Sequence, residues 1–311
     1  FYLNFLKFHG SLYKTYYSIC TKVSMLISGF TFLRNGSVLG YPFIESIKSI
    51  LPIVDEFVIA LGKGEDDTLE QLLALQQQEP KIRIIQTTWS EVMTTLGYVY
   101  GQQKMIAQFN CLGQWAFYLE ADEIVHEDDL EKIHQACLQY KDDDNVEALV
   151  FDYLHFWGNK NTYLWSPSWY RSEPRIIKQS IRTYAPDGLY WIVIDSKKVG
   201  RYPKAKKIGA TMYHYGWIRT EEQASLKASK IKKYWNKTSN NDADYTQIDS
   251  YILKEFTTDH PAVMNNFLLP AKGIVATDPN YKLTLKDKIN RFRLKLEAIF
   301  NLELSKRHYK K

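Results

Sequence analysis

Cysteine is scarce in this chain. Its 311 residues hold Cys20, Cys111 and Cys137, an odd number with no metal-ligand spacing. That excludes a disulfide framework and points to a reducing compartment. Long hydrophobic runs are missing too: none reaches the roughly 18 apolar residues of a membrane span. The segment to Thr21 shows no small-residue cleavage site and reads as an extension rather than a signal peptide. No internal repeat or low-complexity linker interrupts the chain, and no Gly-Lys-Ser/Thr closes a phosphate-binding P-loop.

Aromatic residues, in contrast, are plentiful: 8 Trp, 22 Tyr and 15 Phe. A chain so composed buries enough apolar area to offset its ordering entropy, which excludes disorder. Charge is unevenly placed. Residues 282–311 carry ten Lys and Arg against three Asp and Glu, a net +7 on a chain whose total is +5, leaving the other 281 residues at −2. Nucleic-acid enzymes spread basic residues over a working face. This body does not, so no nucleic acid partner is expected.

Short apolar runs alternate with helical periods from Lys22 to about Tyr153. Strands are predicted at Val23–Ser28, Phe57–Leu61, Lys81–Gln86, Trp115–Leu119 and Ala148–Tyr153. Between them, Ile44, Ile47, Ile50 and Leu51 mark a helix that Pro52 ends. Asp67 with Glu70 predicts a capping box for a helix carrying Leu69, Leu72, Leu73 and Leu75. Met105, Ile106, Phe109 and Leu112 mark a third helix, and Leu130, Ile133 and Cys137 a fourth. Such alternation implies an α/β fold whose sheet is mainly parallel, with ligands at the carboxyl ends of the strands. Residues 153–190 read as aromatic loops, and Ala210–Tyr215 as the last strand. Helical patterns follow near Glu221–Trp235 and Ile248–Phe256. A basic amphipathic helix through Ile289, Phe292, Leu296, Ile299 and Phe300 closes the chain. The acidic run Asp142–Asp144 reads as a solvated turn.

Three clusters carry chemistry. Phe117-Tyr118-Leu119-Glu120-Ala121-Asp122-Glu123 runs an apolar strand into two carboxylates at i and i+2, which share a side in extended chain. Like charges so placed call for a cation, and hard oxygen ligands suit Mn²⁺ or Mg²⁺; an acidic helix N-terminus is the alternative. Gly62-Lys63-Gly64-Glu65-Asp66-Asp67-Thr68 follows the second strand and permits a ligand's close approach, or is a plain βα loop. His214, in Tyr213-His214-Tyr215-Gly216-Trp217, is either a packed ring or a ligand brought back to Glu120 and Asp122.

In order along the chain come Ser28-Gly29-Phe30-Thr31-Phe32-Leu33-Arg34-Asn35-Gly36, Tyr41-Pro42-Phe43, Ser49–Pro52, Asp55-Glu56-Phe57, the Gly62–Thr68 loop, Ala121-Asp122-Glu123 with His126-Glu127, His214–Arg219 and Asp259–Met264. This succession, over about Lys22 to Phe267, resembles a bacterial branch of the family 2 type glycosyltransferases of GT-A fold. The resemblance implies a Rossmann-like three-layer sandwich, with a mainly parallel mixed sheet and a helical C-terminal appendage. Its divisions are 1–21 (extension), 22–219 (nucleotide-sugar-binding and catalytic domain) and 220–311 (helical region). Glu120 and Asp122 then stand at the Asp-x-Asp position that binds a divalent cation on the donor diphosphate, and His214 completes that site. Phe30, Arg34, Asn35, Gly62, Asp66 and Lys104 become nucleotide contacts, with Leu61 or Gly62 standing where an aspartate is usual.

The implied reaction moves a sugar from a nucleotide-diphosphate donor to a glycan or glycolipid acceptor with inversion, using Mn²⁺ or Mg²⁺. A carboxylate must accept the acceptor's proton: Asp187, in Tyr184–Leu189, is the candidate and Glu123 the reserve, although Pro-Asp-Gly is also an ordinary turn. The aromatic stretch Phe156–Tyr170 is expected to line the acceptor site. The basic helix either packs its stripe on the body or a second copy, as in a homo-oligomer, or lies on the inner face of a membrane, with the protein cytoplasmic. The rival readings are a catalytically silent nucleotide- or glycan-binding relative and a sugar nucleotidyltransferase. The latter wants a Gly-rich first loop with Arg or Lys, which Ser28–Thr31 is not.

Overall fold

The computed structural model describes residues 25–93, 95–218 and 244–311, together with 223, 225–227, 229 and 234. The predicted extension 1–21 and most of the Glu221–Trp235 helix lie outside the described residues.

Four parallel strands form one half of a mixed sheet: β1 (Ile27–Leu33), β2 (Glu56–Gly62), β3 (Ile82–Thr87) and β4 (Trp115–Tyr118), in the order β4-β1-β2-β3. Helices α1 (Phe43–Ile50), α2 (Thr68–Gln78) and α3 (Tyr98–Phe109) connect them. β5 (Glu123–Val125) and α4 (Leu130–Tyr140) follow. β6 (Ala148–Trp157), β7 (Asn159–Leu164) and β8 (Ser172–Lys178) extend the sheet in antiparallel pairs, with β8 against β4. Three short strands, β9 (Thr183–Tyr184), β10 (Ile192–Ile194) and β11 (Gly200–Arg201), make a small separate sheet. The long β12 (Ala205–Trp217) lies between β5 and β6, and β13 (Leu253–Glu255) edges β7. Helix α5 (Leu285–Phe300) precedes the C-terminal tail.

Alternation along the buried strands builds three layers. Phe57, Ile59 and Leu61 of β2 pack with Ile47 and Ile50 of α1, Leu72 and Leu75 of α2, and Ile133 and Cys137 of α4. Val58 and Ala60 face the other way, with Phe30, Tyr118, Met105 and Ala107 of α3, Trp191 and Tyr309. Both faces of the parallel half are thus covered, as such sheets require.

Local chemistry departs from expectation at four places. β1 begins four residues after the predicted start. The Asp67–Glu70 capping box does not form: Asp67 accepts from Gln71 Nε2 (3.0 Å), and Asp66 Oδ1 takes the Thr68 hydroxyl (2.6 Å) and backbone N–H (3.3 Å) instead. Residues 153–171, read as loops, continue β6 and form β7. Ile248–Phe256 holds a short 3-10 turn and β13, because Leu253–Glu255 pairs with Leu164–Thr162 and sheet pairing overrides a brief helical spacing. Among the described residues, no helix is long and apolar enough to cross a membrane.

Candidate metal and nucleotide site

The chain between β4 and β5 turns through Leu119–Asp122 and is tied down by its backbone. The Glu120 carbonyl accepts from Ser46 Oγ (3.1 Å) and Glu123 N (3.0 Å), and the Asp122 carbonyl from Tyr215 N (2.8 Å). Register supplies the histidine. β5 runs antiparallel to β12 with Glu123 opposite His214, which sets the ring beside Asp122. β12 runs parallel to β6 with His214 opposite His155. Glu120, Asp122 and His214 are therefore brought together, one donor atom from each lying within 4.8 Å of the others.

The two histidines settle each other's protons. His155, fully buried, places Nε2 at 2.7 Å from the Tyr170 carbonyl and Nδ1 at 3.0 Å from His214 Nδ1. A carbonyl only accepts, so His155 Nε2 carries the hydrogen. Burial, with His214 second, holds the pKa of His155 well below its usual range, so Nδ1 is bare. His214 then donates from Nδ1 and keeps its Nε2 lone pair. Burial also lowers the pKa of His214, with Asp122 opposing. That bare nitrogen stands 3.6 Å from Asp122 Oδ1, too long for a hydrogen bond. Two acceptors thus face each other across a gap suited to a cation.

The residues present fit a divalent ion. Two carboxylates and a neutral imidazole are a hard, oxygen-rich donor set. A Cβ on Gly216 would lie 2.6 Å from His214 Nε2 and 2.9 Å from Asp122 Oδ2, so only glycine leaves this corner open. Protein cations flank it. Lys227 Nζ is 3.2 Å from Asp122 Oδ2 and 3.4 Å from the Gly216 carbonyl. Arg175 of β8, fully buried, reaches Glu120 (3.0 Å) and grips Glu123 through Nε (2.9 Å) and Nη2 (2.6 Å). Glu120 keeps 30 % of its side chain exposed at the cavity. Its pKa is nonetheless lifted to about 8, first by burial, then by Glu123, against the pull of Arg175.

A cavity of about 760 Å³ opens at the carboxyl ends of β1, β2 and β4. Arg34, Asn35, Glu120, Asp122 and His214 line it. Phe32, Trp89, Tyr100, Tyr118 and Tyr234 make an aromatic wall, with Trp89 edge-on to Tyr100 and Tyr234. Trp89 packs there because Gly62 has no side chain: a Cβ at that glycine would meet the indole nitrogen at 2.3 Å. Among the described residues, the Trp89 indole N–H, the Tyr118 hydroxyl and Arg34 Nε are buried without a hydrogen-bond partner. Of the aromatic stretch expected to line the acceptor side, Trp169 and Tyr170 reach the cavity, while Phe156 is core.

Other expected site residues sit elsewhere. Phe30 is core, against Tyr118. Asp66 spends its oxygens on Thr68 and the Val38 N–H (2.9 Å), so it joins the two loops rather than lining the cavity. Lys104 is sealed behind the wall, its ammonium on the Gly188 and Leu189 carbonyls (3.1 and 3.2 Å) and over the Tyr118 and Trp191 rings. Burial, followed by Arg175, pushes its pKa well below the usual lysine range. Asp187 Oδ1 accepts the Leu189 N–H (2.7 Å), as in an ordinary Pro-Asp-Gly turn, although Gly188 and Leu189 do line the cavity. Glu123 cannot serve as a base. It is fully buried, and both its oxygens are taken by Arg175, Tyr153 Oη (2.7 Å) and the Glu120 N–H (3.0 Å). Sequence reading missed Arg175, His155, Trp89 and Lys227. An arginine inside an apolar strand, and Tyr153, His155 and Trp157 alternating on one face of β6, were the available signals.

No protein-family model matches the chain, and a search of the curated proteins finds no match. Among solved structures, the chain is similar to S. aureus TarS 1-349 in complex with UDP, at 16% identity over 44% of this chain and 37% of that one, with a TM-score of 0.32. It is similar to S. aureus TarS at 16% identity over 67% of this chain and 40% of that one, with a TM-score of 0.40. It is also similar to the mannosyltransferase PcManGT from Pyrobaculum calidifontis in complex with GDP-Man and Mn²⁺, at 13% identity over 51% and 46%, with a TM-score of 0.36. The chain spans less than half the length of each of these three structures.

Proposed function

We propose that this chain is a metal-dependent glycosyltransferase of GT-A fold, family 2 type, moving a sugar from a nucleotide-diphosphate donor to a glycan or glycolipid acceptor with inversion. The observation that carries the reading is the convergence of Glu120, Asp122 and a bare His214 Nε2 at the carboxyl end of a parallel sheet. A cation held there, Mn²⁺ or Mg²⁺, supplies charge that stabilises a departing diphosphate. The chain's own groups do the rest. Arg34 on the cavity wall offers a bound nucleotide sugar a cation, and Asn35 beside it joins the first loop to the second by accepting the Glu65 N–H (2.8 Å). Arg175 fixes Glu120 in place. Asp187, on the loop that provides Gly188 and Leu189, is the proposed proton acceptor.

Lys227 favours a second reading. Its ammonium already neutralises Asp122, as in a relative that binds nucleotide without metal or turnover. Thermal-shift titration with UDP, GDP, CMP and TDP, with and without Mn²⁺, separates the two. The transferase reading expects a nucleotide response that requires Mn²⁺ and disappears in Asp122→Asn at unchanged fold. A response indifferent to metal supports the silent relative. Asp187→Asn keeps the oxygen that accepts the Leu189 N–H, so it should spare nucleotide binding and abolish transfer. Full turnover in that variant would move the base elsewhere.

A further inference from the structure

Helix α5 carries two opposed faces. Asn290, Leu294 and Glu297 turn inward: Asn290 Nδ2 donates to Ser168 Oγ (3.2 Å), Leu294 packs beside Trp169 and Leu164, and Glu297 pairs with Arg171. At about 100° per residue, the opposite side presents Leu285, Ile289, Phe292, Leu296, Ile299 and Phe300. Of the two readings the sequence left for this stripe, packing on the body is not what the structure shows. Leu285 is 75% exposed, Phe292 61%, Ile299 72% and Phe300 62%, and Leu302 continues the patch past the helix end. The body instead takes the face bearing Asn290 and Glu297, because Ser168 and Arg171 offer those polar groups partners. A continuous apolar stripe of this length on a soluble surface marks an interaction site.

We propose that α5 lies flat on an anionic lipid surface. Lys288 and Lys295 border the stripe on one side, and Lys286 and Arg293 on the other. The helix's two acids are both occupied, Asp287 in the Thr284 capping box and Glu297 against Arg171. An apolar stripe edged with lysine and arginine is the pattern of a helix seated at the headgroup boundary. Charge argues against the other occupants. A two-fold second copy would set lysine rows against lysine rows. Residues 1–24 hold Lys7, Lys14 and Lys22 and no acid, so they repeat the sign of the surface rather than complement it. The same helix holds Ser168 and Arg171, which bracket the cavity-lining Trp169 and Tyr170, so docking would place that wall beside the bilayer. The docking itself stands independently of the transferase reading.

The experiment is vesicle flotation of the full chain with phosphatidylcholine alone and with 30 mol% phosphatidylglycerol (about 30%, so that the surface charge attracts nearby Lys and Arg). Substitution is the right probe, because deleting the tail would also remove the buried His308 and Tyr309. The exposed triple variant Phe292→Ser/Ile299→Ser/Phe300→Ser and the charge variant Lys288→Glu/Lys295→Glu are compared after circular dichroism and thermal melting confirm their fold. Flotation with anionic vesicles, at least tenfold weaker in both variants and on neutral lipid, is expected. Equal flotation of all three proteins, or none with anionic lipid, overturns the proposal. So does a dimer in analytical ultracentrifugation that the serine variant dissolves, or flotation that appears only after residues 1–24 are removed.

Discussion

A single fully buried side chain sets the protonation of the candidate site. His155 touches no ligand position, yet its bare Nδ1 accepts the hydrogen bond of the His214 Nδ1–H and leaves His214 Nε2 open toward Asp122. His155→Phe keeps a ring among Tyr153, Trp169 and Tyr170 but removes that acceptor. We expect Mn²⁺ affinity, read from the free-ion signal in electron paramagnetic resonance, to weaken by about 10–100-fold. Nitrogen-15 shifts of His214 should lose their single tautomer at the same time. Unchanged affinity with unchanged shifts would show His155 to be packing alone. Glu120 and Asp122 were legible in sequence as strand-end carboxylates, while His214, a histidine between aromatic residues, drew its candidacy from the ordered motifs around it. His155 was not, since its role comes from strand register, which a sequence of aromatic residues does not display.

At the scale of elements, strand β8 supplies a cation to the acidic corner that sequence reading did not single out. Its Arg175 lies between Glu120 and Glu123 and over the Tyr118 and Tyr153 rings, so one guanidinium neutralises the acidic corner from beneath. Arg175 and Glu123 are both fully buried. Removing one partner of such a pair leaves an uncompensated charge, and Glu123→Gln should cost about 3–5 kcal/mol in urea unfolding. A loss below about 1 kcal/mol would mean the pair is not buried as described. Strands β1 to β4 and helices α1 to α4 were readable because period-2 and period-3.6 patterns persist there. The caps and β13 were not: Asp66 wins over Asp67 by a local hydrogen bond, and three residues of β13 carry too short a pattern to outvote their neighbours. α5 was read as a helix, but which of its faces the body covers was not legible, because hydrophobic periodicity identifies a stripe without saying what covers it.

Over the whole molecule, packing keeps several histidines neutral. Burial lowers the pKa of His260 to about 4, and Phe156, Tyr215 and Phe256 surround its ring. His155 and His214 shift the same way. A histidine whose folded pKa is depressed binds its proton more readily when unfolded. Its stabilisation is present above about 6.5 and is lost as pH falls toward 4. Urea midpoints should therefore drop steadily between pH 6.5 and 4, and His260→Gln should make that slope shallower; an identical slope would remove His260 from the account. The three layers also explain why one corner collects so much chemistry: β4, β5, β8 and β12 all end or cross beside Glu120.

The central claim is a cation bound at that corner, and anomalous scattering from a crystal soaked with Mn²⁺ and UDP or GDP tests it most directly. We predict a manganese peak in contact with Glu120, Asp122 and His214 Nε2, with Lys227 withdrawn from Asp122. A nucleotide-bound crystal with no peak there, and Lys227 still on Asp122, would contradict it.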